Sequence, residues 1–249
     1  MHGLRRFLLV HALTCLAHGS EIIDGEKAKE NSLLYMASVQ NNRGHVCGGF
    51  LISEEFVVTA AHCDSDLKSI VLGTHNLKDA KNKTRNIEKQ YKHPSFENVG
   101  RGNDIMLLKL AQKVQLDNSV QKIQLSRSEV NIKEHMMCHV AGWGATKSKG
   151  RVVDELREVS VSIINLQFCE KEWPGLPANV ICAGGYGTRK GFCQGDSGGP
   201  LVCNGMAVGV VSFNKNRNCA YPDVPNVYTD ISKYLPWINT IFKGRKHYE

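Results

Sequence analysis

An all-β fold of antiparallel strands, arranged as a sandwich or a barrel, is what this sequence predicts. Two observations lead there. Short β-type runs recur along the chain with turn signals between them, and 23 glycines against 7 prolines are scattered without gathering into a long linker. In chain order the runs are 33–40 (LLYMASVQ), 50–60 (FLISEEFVVTA), 105–110 (IMLLKL), 137–143 (MCHVAGW), 158–164 (EVSVSII) and 207–213 (AVGVVSF). Polar residues dominate 118–133, the expected boundary between two halves. The one helix expected is at the end of the chain, where Ile231, Tyr234, Leu235, Ile238, Ile241 and Phe242 recur at three- and four-residue intervals and Asp230 can cap the start. Its expected job is to cover apolar barrel surface.

The first 19 residues read as a secretory signal peptide: Arg5-Arg6, the apolar Phe7 to Val10, then the small-residue exit Ala17-His18-Gly19. A membrane anchor is the alternative, but His11 and Thr14 interrupt a stretch already short of the roughly 20 residues a span requires. Cleavage after Gly19 leaves the dipeptide Ser20-Glu21 ahead of Ile22, and its removal leaves 228 of the 249 residues, a length one all-β domain can have. The mature protein is therefore expected to be soluble and exported, with no membrane partner. Losing Arg5, Arg6 and Glu21 takes the net charge from +7 to +6. The basic runs 78–89, 147–151, 215–217 and 243–247 read first as solvated loops. Docking onto an acidic proteoglycan is the second reading. No zinc-finger spacing or nucleic-acid motif is present, so no DNA or RNA partner is expected.

Of nine cysteines, Cys15 leaves with the signal peptide. Eight remain, and in an exported chain an even number favours four disulfides over metal binding, with the pairing left open by arithmetic. No paired C-x-x-C motif or histidine ligand spacing suggests a metal or any other cofactor. Asn82-Lys83-Thr84 is an N-glycosylation sequon in a polar loop.

The chemistry concentrates in three segments. In 191–203 (GFCQGDSGGPLVC) Ser197 sits between an aspartate and two glycines. A serine hydroxyl needs a base to become a nucleophile, and flanking glycines let a carbonyl approach backbone amides. In 57–63 (VVTAAHC) His62 ends a strand beside a cysteine that can staple it, and in 103–110 Asp104 stands directly before an apolar strand. Each alone has a bland reading, as a turn residue or a strand cap.

Together, in the order His, Asp, Ser, TAAHC, DIMLLKL and GDSGGP resemble the trypsin and chymotrypsin family of serine proteases, from Ile22 to about Phe242. The resemblance implies two packed six-stranded antiparallel β-barrels with a C-terminal helix, in a protease domain drawn over 22–249. It implies a catalytic triad of His62, Asp104 and Ser197, with an oxyanion hole from the amides of Gly195 and Ser197. It implies activation by an Ile22 ammonium that folds inward onto Asp196, and disulfides joining Cys47 to Cys63, Cys138 to Cys203, Cys169 to Cys182 and Cys193 to Cys219. A propeptide ending in Glu21, where most members carry lysine or arginine, is similar to that of granzymes, mast-cell chymases and cathepsin G. A dipeptidyl peptidase trims those before granule storage. Protein and peptide substrates, serpin inhibitors and a role in immune defence follow from the same resemblance. Many granzyme B and chymase relatives lack the pair matching Cys193 and Cys219, which keeps the granzyme A and K type and the elastase type open.

The resemblance also frames the pocket for the residue before the scissile bond. Gly191 is its floor, where trypsin carries aspartate, so cleavage after lysine or arginine is not expected. Phe192 should fill space at the bottom, Asn214 and Asn226 replace wall glycines of chymotrypsin, and Ser212-Phe213-Asn214 should pair with substrate backbone. Cleavage after small or medium uncharged residues is the expectation. A digestive elastase-like enzyme, or a non-catalytic homologue binding glycosaminoglycans or microbes, are the competing functions.

Overall fold

A computed structural model describes residues 22–126, 132–221 and 223–243. The signal peptide 1–19, the dipeptide 20–21, positions 127–131 of the expected boundary and the basic tail beyond 243 lie outside the described residues.

The strands are β1 Glu26–Lys27, β2 Met36–Asn41, β3 Gly44–Leu51, β4 Phe56–Thr59, β5 Ser69–Leu72, β6 Thr84–Lys92 and β7 Met106–Leu110. They continue with β8 Gln124–Leu125, β9 Met137–Gly142, β10 Arg157–Ile164, β11 Val180–Ala183, β12 Pro200–Cys203, β13 Met206–Phe213 and β14 Asn226–Asp230. Strands β2, β3, β4, β7, β6 and β5 close one antiparallel barrel. A second closes in the order β9, β10, β11, β14, β13, β12, because β9 pairs both β10 and β12. The fold is thus the two six-stranded barrels with few helices. β1 joins the outer edge of β10, and β8 runs parallel to β13.

Alternation explains the strands that the pattern revealed. Every second residue of β10 is buried, and Val159, Val161 and Ile163 enter the second core. The run 50–60 is two strands, because Ile52 to Glu55 form the turn of a hairpin in which Phe50 faces Val58. The basic run 78–89 is only partly loop. From Thr84 it becomes β6, whose Ile87 and Tyr91 pack on the first core while Glu88, Lys89 and Lys92 are exposed. β3 escaped prediction because Gly48 and Gly49 dilute its β-propensity; a Cβ at Gly49 would stand 2.8 Å from Val58 O, so the close strand pair requires glycine.

The helical end starts as a 3₁₀ turn, Ile231–Tyr234, with the Asp230 side chain accepting from Ser232 N, and continues as α2, Leu235–Lys243. Its apolar face covers the first barrel, with Phe242 4.9 Å from Phe56 and Trp237 5.0 Å from His93, ring centre to ring centre. A short α1, Leu166–Glu172, is capped by Asn165, whose side chain accepts from Gln167 and Phe168. Among the described residues four disulfides join Cys47 to Cys63, Cys138 to Cys203, Cys169 to Cys182 and Cys193 to Cys219. No helix among them is long and apolar enough to cross a membrane.

Candidate active site

His62 lies in the one-turn Ala61–Cys63 that follows β4, and the Cys47–Cys63 bridge fastens that turn to β3. Asp104 stands at the mouth of β7 with its side chain 1% exposed. Its two oxygens hold His62 twice: Oδ1 accepts from the backbone N at 2.9 Å, and Oδ2 meets Nδ1 at 2.7 Å. Ser212 Oγ donates to the same Oδ2. Ser212 can reach it because β13 shifts register against β14 between Val211 and Phe213, and such irregularities re-aim a side chain. Thr229 Oγ1 donates to the Asp104 carbonyl at 2.9 Å. Burial pushes the Asp104 carboxyl up, but the hydrogen bonds and charge of His62, with the Ser212 bond, outweigh it and leave it below its usual value.

Ser197 is half-buried in the turn between β11 and β12. Its carbonyl accepts from Gly48 N at 2.8 Å and lies 3.7 Å from Cys63 Sγ, so the serine is brought to the residue adjoining His62. A Cβ at Gly198, where φ is +81°, would stand 2.6 Å from Gly48 O and 2.8 Å from Ala60 N, which only glycine avoids. Among the described residues the N–H groups of Gly195 and Ser197 have no protein acceptor, leaving two donors beside the serine. The Gly195 carbonyl is fixed instead: it accepts from His45 Nε2 at 2.9 Å, and His45 Nδ1 meets Ser38 Oγ at 2.8 Å. Burial pulls His45 down to about 4, against the opposing effect of the Gly195 bond, so it is neutral at pH 7.

Asp196 is fully buried, with Oδ1 accepting from Gly144 N at 2.8 Å and Oδ2 from Cys193 N at 2.9 Å. Burial drives its carboxyl up to about 7 despite those two bonds. Ile22 is fully buried in the second core, and Ile23 bridges Gly191, which ties the N-terminal segment to the strip carrying Asp196.

The pocket differs from its expected form. The Phe192 ring turns into the second core and meets Tyr228 edge-on at 5.3 Å. Tyr221, which the sequence did not single out, lies over Gly191 instead: a Cβ there would stand 2.6 Å from Tyr221 Cε2. The Tyr221 hydroxyl donates to Phe192 O at 2.7 Å and accepts from Asn214 Nδ2 at 2.8 Å. Asn226 is fully buried between Gly185 and Gly191. Its amide lies close enough to the Tyr221 phenol to influence it, yet neither end meets full hydrogen-bond geometry with a protein partner. Phe213 is half-buried with its ring edge-on to Trp173 at 5.2 Å. Asn82 is exposed with φ at +66° in the turn before β6. Cys47, His62 and Cys63 cluster closely enough for a metal, but both sulfurs are committed to their disulfide.

Signals for the missed residues are weak. Ser38, His45, Thr229 and Tyr221 sit in ordinary strand or loop sequence, and only the folded chain gives them partners.

The family model described as Trypsin matches residues 22–238. Among curated proteins the chain is 39% identical over 245 residues to duodenase-1 of Bos taurus, covering 96% of each. It is 38% identical over 244 residues to granzyme B of Rattus norvegicus, covering 95% of this chain and 97% of the relative. Among solved structures it superposes on neuropsin, a serine protease expressed in the limbic system of mouse brain, with a TM-score of 0.81 and 32% identity, over 88% of this chain and 99% of the other. With its fold, family match and relatives in agreement, the chain belongs to the trypsin family and is a serine endopeptidase.

Proposed function

We propose that this endopeptidase is exported, stored in granules and used in immune defence, and that removal of Ser20-Glu21 by a dipeptidyl peptidase switches it on. The single observation that carries the catalytic roles is the double hold of Asp104 on His62. With Nδ1–H donating to Asp104, Nε2 is the basic nitrogen. Ser197 passes its proton to Nε2 as its oxygen attacks the scissile carbonyl, the new oxyanion is received by the amides of Gly195 and Ser197, and His62 returns the proton to the leaving amine. Water then repeats the sequence to release the acyl group.

The switch rests on Asp196. Two backbone donors do not offset its burial, which leaves the carboxyl raised to about 7. A free Ile22 ammonium supplies the missing cation, orders the strip 193–197 and so sets the two donors. Losing one partner of such a buried pair costs roughly 3–5 kcal/mol. The chain beginning at Ser20 is therefore expected to hydrolyse peptides at least about 100-fold more slowly than the chain beginning at Ile22. A fluorophosphonate probe should label Ser197 only in the trimmed form, and comparable turnover by both forms would refute the switch.

Gly191 offers no carboxylate to a lysine or arginine, and Asn214 and Asn226 narrow the walls, which supports cleavage after small or medium uncharged residues. Substrate backbone adds as a strand along Ser212-Phe213-Asn214. Serpins are the expected inhibitors, and docking onto an acidic proteoglycan is the second reading of the basic segments, after solvated loops. The granule and immune reading is supported by the Glu21-Ile22 junction and by similarity to proteases such as granzyme B.

A further inference from the structure

We infer that Tyr221 is a fixed crossbar that closes the primary side-chain pocket, restricting cleavage to peptide bonds after glycine, alanine or serine. This narrows the small-or-medium preference proposed above to its small end, and rests on the reading that 191–193 and 212–214 frame that pocket. The phenol spans the two walls. Its hydroxyl donates to the Phe192 carbonyl on one side at 2.7 Å and accepts from Asn214 Nδ2 on the other at 2.8 Å. Its ring covers the floor glycine, with Cε2 and Cδ2 2.6 and 3.2 Å from where a Gly191 side chain would begin, and the residue is only 5% exposed. Gly191 thus provides room for the protein's own ring and for Asn226, where an open pocket would take a substrate side chain.

The crossbar is anchored at its base. Cys219 is bonded to Cys193, so the two walls share a covalent tie two residues from Tyr221. Ser148 Oγ accepts from Cys219 N at 2.7 Å and donates to Asn218 Oδ1 at 2.9 Å, and Ala220 N donates to the same Asn218 Oδ1 at 3.0 Å. Swinging the ring aside breaks both hydroxyl bonds and pulls against this anchor. A leucine, methionine or phenylalanine side chain needs the same space as the ring, and close-packed interiors do not hold both.

The test compares the trimmed wild type with Tyr221→Gly and Tyr221→Phe in three measurements: fluorophosphonate labelling, a peptide library randomised before the scissile bond, and calorimetric binding of indole as a stand-in for an aromatic side chain. The wild type and Tyr221→Phe are expected to cleave after alanine or serine at least about tenfold better than after leucine or phenylalanine, and to bind no indole. Tyr221→Gly is expected to gain cleavage after leucine, methionine and phenylalanine by about tenfold or more, to keep its labelling, and to bind indole. Wild type that cleaves after phenylalanine as readily as after alanine, or that binds indole as the glycine variant does, overturns the crossbar. So does a library profile unchanged by Tyr221→Gly. Absent labelling in all three proteins sinks the catalytic roles, while indole, which probes space and not chemistry, still decides whether the ring fills the pocket.

Discussion

Asp104 shows how much of a buried carboxylate's behaviour is set by its neighbours. Its carboxylate holds His62 through two atoms and receives Ser212 Oγ, all in a site where it is almost completely buried. Burial alone would raise its pKa, and the depressed value reflects these partners. A carboxyl lowered on folding contributes stability that is present above the unfolded value of about 3.9 and is lost as pH falls through the folded value. Ser212→Ala removes one charged hydrogen bond, so at pH 7 the variant should be less stable by about 1.5–3 kcal/mol. Urea unfolding should show the gap narrowing as the pH drops below the ordinary carboxylate range, and an equal gap at low and neutral pH would show that Ser212 acts by packing alone. The proposed triad is legible in the sequence because TAAHC and GDSGGP are local patterns. Ser212 reads in the sequence only as part of the substrate strand, since its bond to Asp104 depends on a register shift in β13 that no local pattern encodes.

Between residues and barrels lie the strips 191–199 and 212–221, the proposed walls of the pocket and turn of the nucleophile. Glycines and cysteines marked the first strip in the sequence, but the second disclosed only its strand. The loop after β13 carries Asn216 and Arg217 at positive φ, and its course is set by Cys219 and by Ser148 reaching from another loop. That is why the sequence points to wall bulk at Asn214 and Asn226 but not to Tyr221. The charged run that hid β6 failed for a related reason: lysines on the outer face of a strand look like those of a loop until the inward Ile87 and Tyr91 are given a barrel to enter. Replacing both Cys193 and Cys219 by alanine opens a link between residues 26 apart, worth about 3.5 kcal/mol by chain entropy. The variant should unfold at correspondingly lower urea and, with the base of Tyr221 released, accept larger side chains in a peptide library. Fluorophosphonate labelling should persist, because the hold of Asp104 on His62 does not pass through this bridge; loss of labelling without broader selectivity would show that the bridge orders the nucleophile's turn instead.

At the scale of the molecule, the proposed triad is split between two barrels that the pattern of strands could suggest but not dock. His62 and Asp104 come from the first, Ser197 and Ser212 from the second, and each pairing across the seam relies on groups of no special appearance in the sequence. Gly48 N donates to Ser197 O at 2.8 Å, and Tyr234 OH to Asn103 Oδ1 at 3.2 Å. Thr229, on β14 of the second barrel, donates to the carbonyl of Asp104 at 2.9 Å. That last bond fixes the backbone that carries the carboxylate, and the threonine is 2% exposed, so water cannot readily replace it. Thr229→Val keeps the shape and deletes the donor, leaving a buried carbonyl unpaired, which typically costs about 1–3 kcal/mol of stability. If the bond also positions Asp104, kcat should fall while KM stays near its wild-type value, because Ser212-Phe213-Asn214 and the pocket are untouched. Thr229→Ser, which restores the hydroxyl, should recover kcat. A valine variant that loses stability with kcat intact would make Thr229 a structural tie between barrels, and recovery of kcat by serine is the result that a merely structural role would not produce.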